Sequence, residues 1–410
     1  MDGSARGSGT RAGLSAARLV RIDEFIQRRY IDPGKLAGAL TLIARRGEIA
    51  HLGVVGAADV QRRIPLAADS MFRIYSMTKP LTSVALMMLV EEGAIALDDP
   101  VERYIPAWDN LAVFEAGIAP QFQTRRVQRP MLVIDLLRHT SGLTYGFQAR
   151  TNVDAAYRKA DIGVMGCTLT LSEMIEALAR IPLEFSPGEA WNYSVSTDVL
   201  GYIIERVSGM PFQDFLKSRI IEPLGMIDTD FHVPPEKARR LAACYTPGPK
   251  GELLLQDDPA ASLYLAPPRF VSGGGGLVST ASDYLAFCRM LLNGGEAGGI
   301  RFLSRKTLGL MTANHLPGGV DLTQISRSLF SEASNAGVGF GLGFAVSLDP
   351  AKGLSAGSKG EFYWGGMAST AFWVDPAEDL IVIFMTQLIP SSTYPIRREL
   401  RSLVYAAIDD

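Results

Sequence analysis

Residues 73–80 read Arg-Ile-Tyr-Ser-Met-Thr-Lys-Pro, and the chain runs on from there into LTSVALMMLVEEG. Ser76 and Lys79 stand three residues apart, a spacing that puts two side chains on one face of a helix. The run behind them is apolar on nearly all sides and meets a stop signal at Gly93, so its helix belongs in the interior. A hydroxyl and an amine would then face each other where a buried helix begins. One such pair is expected by chance in a chain of this length, so the spacing alone carries little weight. What surrounds it decides the fold.

The chain has 410 residues, 47% hydrophobic and 20% charged, with 41 glycines and 23 prolines. That is the composition of a folded protein with a large core. The net charge is −3 and no stretch concentrates Lys and Arg, which argues against a nucleic-acid partner. Cys167, Cys244 and Cys288 are odd in number and widely spaced, as buried thiols in a reducing compartment would be. His51, His139, His232 and His315 share no metal-ligand spacing, so neither a metal nor a cofactor is expected. The first residues lack the apolar core of a signal peptide, and no apolar run approaches bilayer length. A cytoplasmic protein with no membrane partner is the expectation.

Along the chain, residues 1–15 read as a disordered lead. LSAARLVRIDEFIQRRY carries an amphipathic helix, followed by two β-rich runs around an Arg46-Gly47 turn. Residues 96–275 read mostly as helices and long loops, with helices in VIDLLRH, LSEMIEALAR, STDVLGYIIERVSG and FQDFLKSRII. After the glycine run 273–276, Thr280 and Asp283 form a helix-opening cap. VGFGLGFAV, ASTAFWVD and DLIVIFMTQ then read as three strands, and YPIRRELRSLVYAAI as a closing helix. This pattern predicts an α/β domain built from both ends, 16–95 and 276–410. A helical domain at 96–275 is inserted into it, with the active site in the cleft between the two.

Three further segments bear on Ser76. In FSPGEAWNYSVSTDVLG, Tyr193 sits on a loop just before a helix. In LLRHTSGLTYGF, His139 has no evident acid partner and is read as structural. In FYWGGMASTAFWVD, read as a strand, Gly365-Gly366 lets another group approach the backbone closely. Together these segments resemble the serine β-lactamase and penicillin-binding-protein superfamily, and within it the class C-like branch and the family VIII carboxylesterases. Ser76-x-x-Lys79 matches S-x-x-K, Tyr193-Ser194-Val195 stands in the place of Y-x-N, and Trp364-Gly365-Gly366 in the place of K-T-G. The resemblance runs from about residue 35 to the C-terminus. It implies a β-lactamase-like fold, an antiparallel sheet flanked by helices. It further implies that Ser76 is the acylated nucleophile and that Lys79 and Tyr193 share the proton shuttling. The backbone N–H groups of Ser76 and Met367 would hold the oxyanion. Serine needs such help, because its hydroxyl is a poor nucleophile until a base takes the proton. Lysine can be that base if burial and nearby positive potential lower its pKa, and a tyrosinate beside an ammonium is the alternative. The sequence leaves the choice between them open.

Two departures from the family pattern bear on the substrate. Trp364 puts an uncharged ring where the lysine of K-T-G helps anchor a β-lactam carboxylate, and Val195 replaces the asparagine of Y-x-N. An apolar, aromatic-walled pocket suits neutral acyl groups. The expectation is therefore a carboxylesterase acting on small short-chain acyl esters, with Trp364, Gly365, Gly366, Val195, Tyr145 and Phe147 at the substrate. The alternatives are a β-lactamase or D-alanyl peptide hydrolase, an acyltransferase, and a non-hydrolytic penicillin-recognising protein. Gly353-Leu354-Ser355-Ala356-Gly357 fits G-x-S-x-G, but it lies in a Gly- and Lys-rich connection without the strand-turn-helix that motif needs. Ser355 is set aside as a nucleophile.

Overall fold

The β-branched and aromatic runs at the two chain ends combine into one eight-stranded antiparallel sheet. The computed structural model describes residues 10–163, 166–328 and 336–410. Helix α1 (Ala16–Ile26) leads into strands β1 (Gly38–Arg45), β2 (Glu48–Asp59) and the short edge strand β3 (Ile64–Pro65). Helices α2 (Thr78–Glu91), α3 (Ser196–Ser208) and α4 (Ala281–Leu292) follow. The chain then returns to the sheet with β4 (Val338–Phe340), β5 (Ala345–Ser347), β6 (Phe362–Gly365), β7 (Ala371–Asp375) and β8 (Leu380–Met385), and closes with α5 (Ile396–Tyr405). Across the sheet the order is β4-β5-β6-β7-β8-β1-β2-β3. The two ends of the chain meet where β8 pairs with β1, in a register running from Leu380↔Arg45 to Met385↔Leu40.

Successive residues of a strand face opposite sides of a sheet, so a strand covered on both faces is apolar throughout. In β8, Ile381, Ile383 and Met385 join the core under α2 and α4, while Leu380, Val382 and Phe384 join the core under α1 and α5. Helix α2 is buried along nearly its whole length, as an all-round apolar helix must be. No helix among the described residues is long and apolar enough to cross a membrane. Cys167, Cys244 and Cys288 are buried and unbridged.

The structure differs from the expected elements in four places. Five strands of the large sheet, not three, come from the C-terminal part. VGFGLGFAV folds back on itself between β4 and β5, where Gly341 N–H donates to Phe344 O at 2.8 Å and Gly343 has φ +97°. FYWGGMASTAFWVD, read as one strand, is the hairpin of β6 and β7, turning at 366–370 with Ser369 at φ +68°. The insertion also holds two hairpins, Ala112–Ile118 with Gln121–Arg126 and Cys244–Pro247 with Leu253–Asp257, whose mixed polar faces mask their period. Finally, residues 10–15 are no disordered lead. Thr10–Arg11 pairs with Leu14–Ser15, Leu14 is fully buried beside α1 and α5, and Ser15 N–H donates to Ala407 O at 2.8 Å. Residues 1–9 of that expected lead lie outside the described residues.

Candidate active site

The segment before α2 does not enter the helix smoothly. Tyr75 has φ +43°, a left-handed conformation that costs a tyrosine about 1–3 kcal/mol and persists only where packing holds it. Its ring is buried against Cys244 and Ala368. A single 3₁₀ turn, Tyr75–Met77, then delivers Ser76 half-buried at the mouth of α2, with Lys79 one turn on and 2% exposed.

Tyr193 arrives from the loop that opens α3, and its Oη lies 2.6 Å from Ser76 Oγ. Lys79 Nζ donates to Ser76 Oγ at 3.3 Å, to Tyr145 Oη at 3.0 Å and to the Gly274 carbonyl at 2.7 Å. Three acceptors use all three protons of an ammonium. The Lys79 ammonium also lies 4.5 Å from the centre of the Tyr193 ring, within cation–π range. Gly274 is held in turn by Asp198, whose Oδ1 accepts from Gly274 N–H at 2.9 Å and from Ser272 Oγ at 2.5 Å. Burial raises the Asp198 carboxyl above its ordinary value, and the charge of Lys79 works against that rise. Burial, with Asp198 and Tyr193 nearby, pushes the Tyr145 phenol well above its usual range, so it stays a neutral hydroxyl. A side chain at Gly274 would crowd both groups, its Cβ falling 2.7 Å from Asp198 Oδ2 and 2.9 Å from Tyr145 Oη.

From the other side, β6 brings Trp364 to Tyr193, with ring centres 5.4 Å apart and Nε1 3.4 Å from Tyr193 Oη. The two glycines after it let neighbouring groups approach closely, and at Gly366 the neighbour is backbone. A Cβ on Gly365 would lie 2.5 Å from the Arg397 guanidinium, and one on Gly366 would lie 2.4 Å from the Ile74 carbonyl oxygen. The end of β6 is thereby seated against the turn that carries Ser76. Among the described residues, neither Ser76 N–H nor Met367 N–H donates to an acceptor outside its own turn.

Ser76, Lys79, Tyr193, Trp364, Gly365 and Gly366 thus come together, and three other expected residues are placed differently. Tyr145 does not line an open acyl site but is buried as a partner of Lys79. Val195 is 0% exposed, with its side chain turned toward Gly163, where a Cβ would meet Val195 Cγ1 at 2.6 Å. Packing, not a ligand, claims it. Phe147 is 44% exposed and stacks on Tyr145 at 4.7 Å, one ring removed from Lys79. His139 is buried among Trp191, Tyr193 and Phe340, with Nδ1 3.2 Å from Ser194 Oγ. Burial, then the charge of Lys79, holds its pKa well below the ordinary value, and it stays neutral. Ser355 follows a short helical turn, Pro350–Gly353, and among the described residues its Oγ hydrogen-bonds only to the Ala356 carbonyl, at 3.4 Å. The sequence does not single out Asp198, Ser272 or Gly274 as site residues. Asking what surrounds a buried Lys79 would have pointed to the acid in the first turn of α3.

A family model described as Beta-lactamase matches residues 24–406. The chain belongs to the β-lactamase family. Esterase EstB of Burkholderia gladioli is 30% identical over 428 residues, covering 97% of this chain and 98% of EstB. Monacolin J acid methylbutanoyltransferase of Aspergillus terreus is 26% identical, with 94% of each chain covered. Among solved structures, EstCE1, described as a hydrolase with promiscuous acyltransferase activity, superimposes with a TM-score of 0.80 at 27% identity, over 95% of this chain and 99% of its own. The β-lactamase-family fold and the resemblance to family VIII esterases both stand on these matches. They support a hydrolase.

Proposed function

We propose that this protein is a serine carboxylesterase that hydrolyses short-chain acyl esters through an acyl-enzyme on Ser76. The observation that carries the reading is the contact of Ser76 Oγ with Tyr193 Oη at 2.6 Å, beside Lys79 Nζ at 3.3 Å. As Oγ bonds to the ester carbonyl carbon, its proton passes toward Tyr193 Oη. Lys79 Nζ reaches Ser76 Oγ at 3.3 Å and lies 4.5 Å from the Tyr193 ring centre, where an ammonium would offset negative charge developing on Tyr193 as the proton moves. The carbonyl electrons move to oxygen, where the N–H groups of Ser76 and Met367 receive them. Collapse expels the alcohol, which takes the proton from Tyr193. Water then repeats the sequence on the acyl-enzyme and releases the acid.

Trp364 supports an ester over a β-lactam, since its ring offers no charge to a ring carboxylate. EstB is named an esterase and EstCE1 a hydrolase, which favours the same reading. The EstCE1 description and the Aspergillus transferase favour a second one, in which an alcohol replaces the deacylating water. The test is a panel of p-nitrophenyl acyl esters against a chromogenic cephalosporin, with and without an added alcohol. A missing charge contact in a partly dry pocket is worth a few kcal/mol, at about 1.4 kcal/mol per decade. Acetyl and butyryl esters should therefore lead by about tenfold or more in kcat/KM. A faster cephalosporin would refute the esterase reading, and ester formation outrunning hydrolysis would favour the transferase.

A further inference from the structure

Met367 N–H, the second oxyanion donor in the proposed reaction, belongs to the peptide whose carbonyl is on Gly366. That carbonyl accepts a hydrogen bond from Arg397 Nη2, on α5, at 2.9 Å. The same Nη2 donates to the Thr370 carbonyl at 2.6 Å. The two carbonyls mark the ends of the turn between β6 and β7, which Gly366 N–H closes by donating to Thr370 O at 2.9 Å. The guanidinium also occupies the space a Gly365 side chain would need, while Gly366 is fitted to the Ile74 carbonyl. One cation on the closing helix therefore grips the turn that carries Met367, and that turn abuts the segment leading into Ser76.

We infer that Arg397 is a positioning residue of the oxyanion hole, orienting and polarising the Gly366–Met367 peptide through its carbonyl. The inference rests on the proposal that Ser76 is acylated and that Met367 N–H faces the oxyanion. A cationic donor on a peptide oxygen draws electron density from the amide nitrogen, so the N–H on the far side becomes a stronger donor. It also fixes the peptide's direction before charge develops, which is what an oxyanion hole requires. A purely structural Arg397 would only anchor α5 to the sheet. Its loss would lower the melting temperature without weakening tetrahedral adducts in particular.

The two cases separate with Arg397→Lys and Arg397→Gln in the full-length chain, assayed with p-nitrophenyl butyrate and phenylboronic acid. The boronate forms a tetrahedral adduct on a serine and puts an oxygen in the oxyanion hole. Losing a whole oxyanion donor costs about 10²–10³ in kcat, so weakening one should cost about tenfold. The expected result is that loss in kcat with KM nearly unchanged, and a rise of similar size in the boronate inhibition constant. Folded variants that keep both wild-type values, or that lose kcat with boronate affinity intact, would overturn the inference. Failure of both to fold would too, by making Arg397 a structural anchor. Wild-type protein that ignores the boronate, or Ser76→Ala that still turns over, would instead count against the acyl-enzyme reading.

Discussion

Three oxygens surround Lys79 Nζ in the interior, and Tyr145 Oη is the only side-chain acceptor among them besides the reacting serine. Tyr145→Phe leaves the stacked ring in place and strands one ammonium proton. An unsatisfied buried donor costs about 1–3 kcal/mol, more when charged. The expected outcome is a fall in kcat of about tenfold or more at little change in fold, read from steady-state kinetics and near-ultraviolet circular dichroism. Unchanged kcat would mean that Lys79 is held by Gly274 alone. Ser76, Lys79 and Tyr193 were legible in the sequence because each sits beside a helix start, with distinctive neighbours. The partners of Lys79 were not. Tyr145 lies 66 residues away and Gly274 lies 195 away, on loops whose path no local pattern dictates. Val195 misled for the opposite reason, since its place in the Y-x-N position said nothing of the packing that turns it toward Gly163.

At the scale of elements, the site is the junction of one helix start with one strand end, and glycine makes the junction possible. Gly366→Ala would put a Cβ 2.2 Å from Thr370 Oγ1 and 2.4 Å from the Ile74 carbonyl oxygen, and the latter is backbone that cannot swing aside. The strand end must then move away from Ser76, and a displacement of about 1 Å in a catalytic site can cost about 10² in rate. Gly309→Ala is the matching control. It is exposed on a short helix, with nothing within 4 Å of its added Cβ, and should be neutral or stabilising by up to about 1 kcal/mol. Ester turnover and melting curves on both variants check this contrast. An active Gly366→Ala would show that the β6 end need not touch the nucleophile's turn. The same junction explains why strands were miscounted. Their apolar runs were plain, but the turns inside them rest on glycines and a left-handed Ser369 that read as ordinary strand residues.

Over the whole molecule, both chain ends were recognisable as β-rich because a sheet covered on two faces needs continuous apolar strands, as in β1 and β8. The order of those strands follows from pairings such as β8 with β1, between segments more than three hundred residues apart in the chain, which no local sequence pattern encodes. The buried site should also shape global stability. The pKa of His139 is held well below its ordinary value of 6.5, so below about pH 6.5 the unfolded chain binds a proton that the native state refuses. Stability should therefore fall as the pH drops through that window, by at most about 1.4 kcal/mol per pH unit from this group. His139→Asn, which tolerates the left-handed backbone at φ +57°, should flatten the decline in urea melts between pH 7 and 5. An unchanged slope would assign the acid sensitivity elsewhere. The central claim, that this fold exists to acylate Ser76, is tested most directly by mass spectrometry after reaction with an alkyl p-nitrophenyl phosphonate. The account predicts one adduct per chain, on the peptide containing Ser76, with loss of ester hydrolysis in step and no adduct in Ser76→Ala. An adduct on Ser355, or full inactivation with Ser76 unmodified, would contradict it.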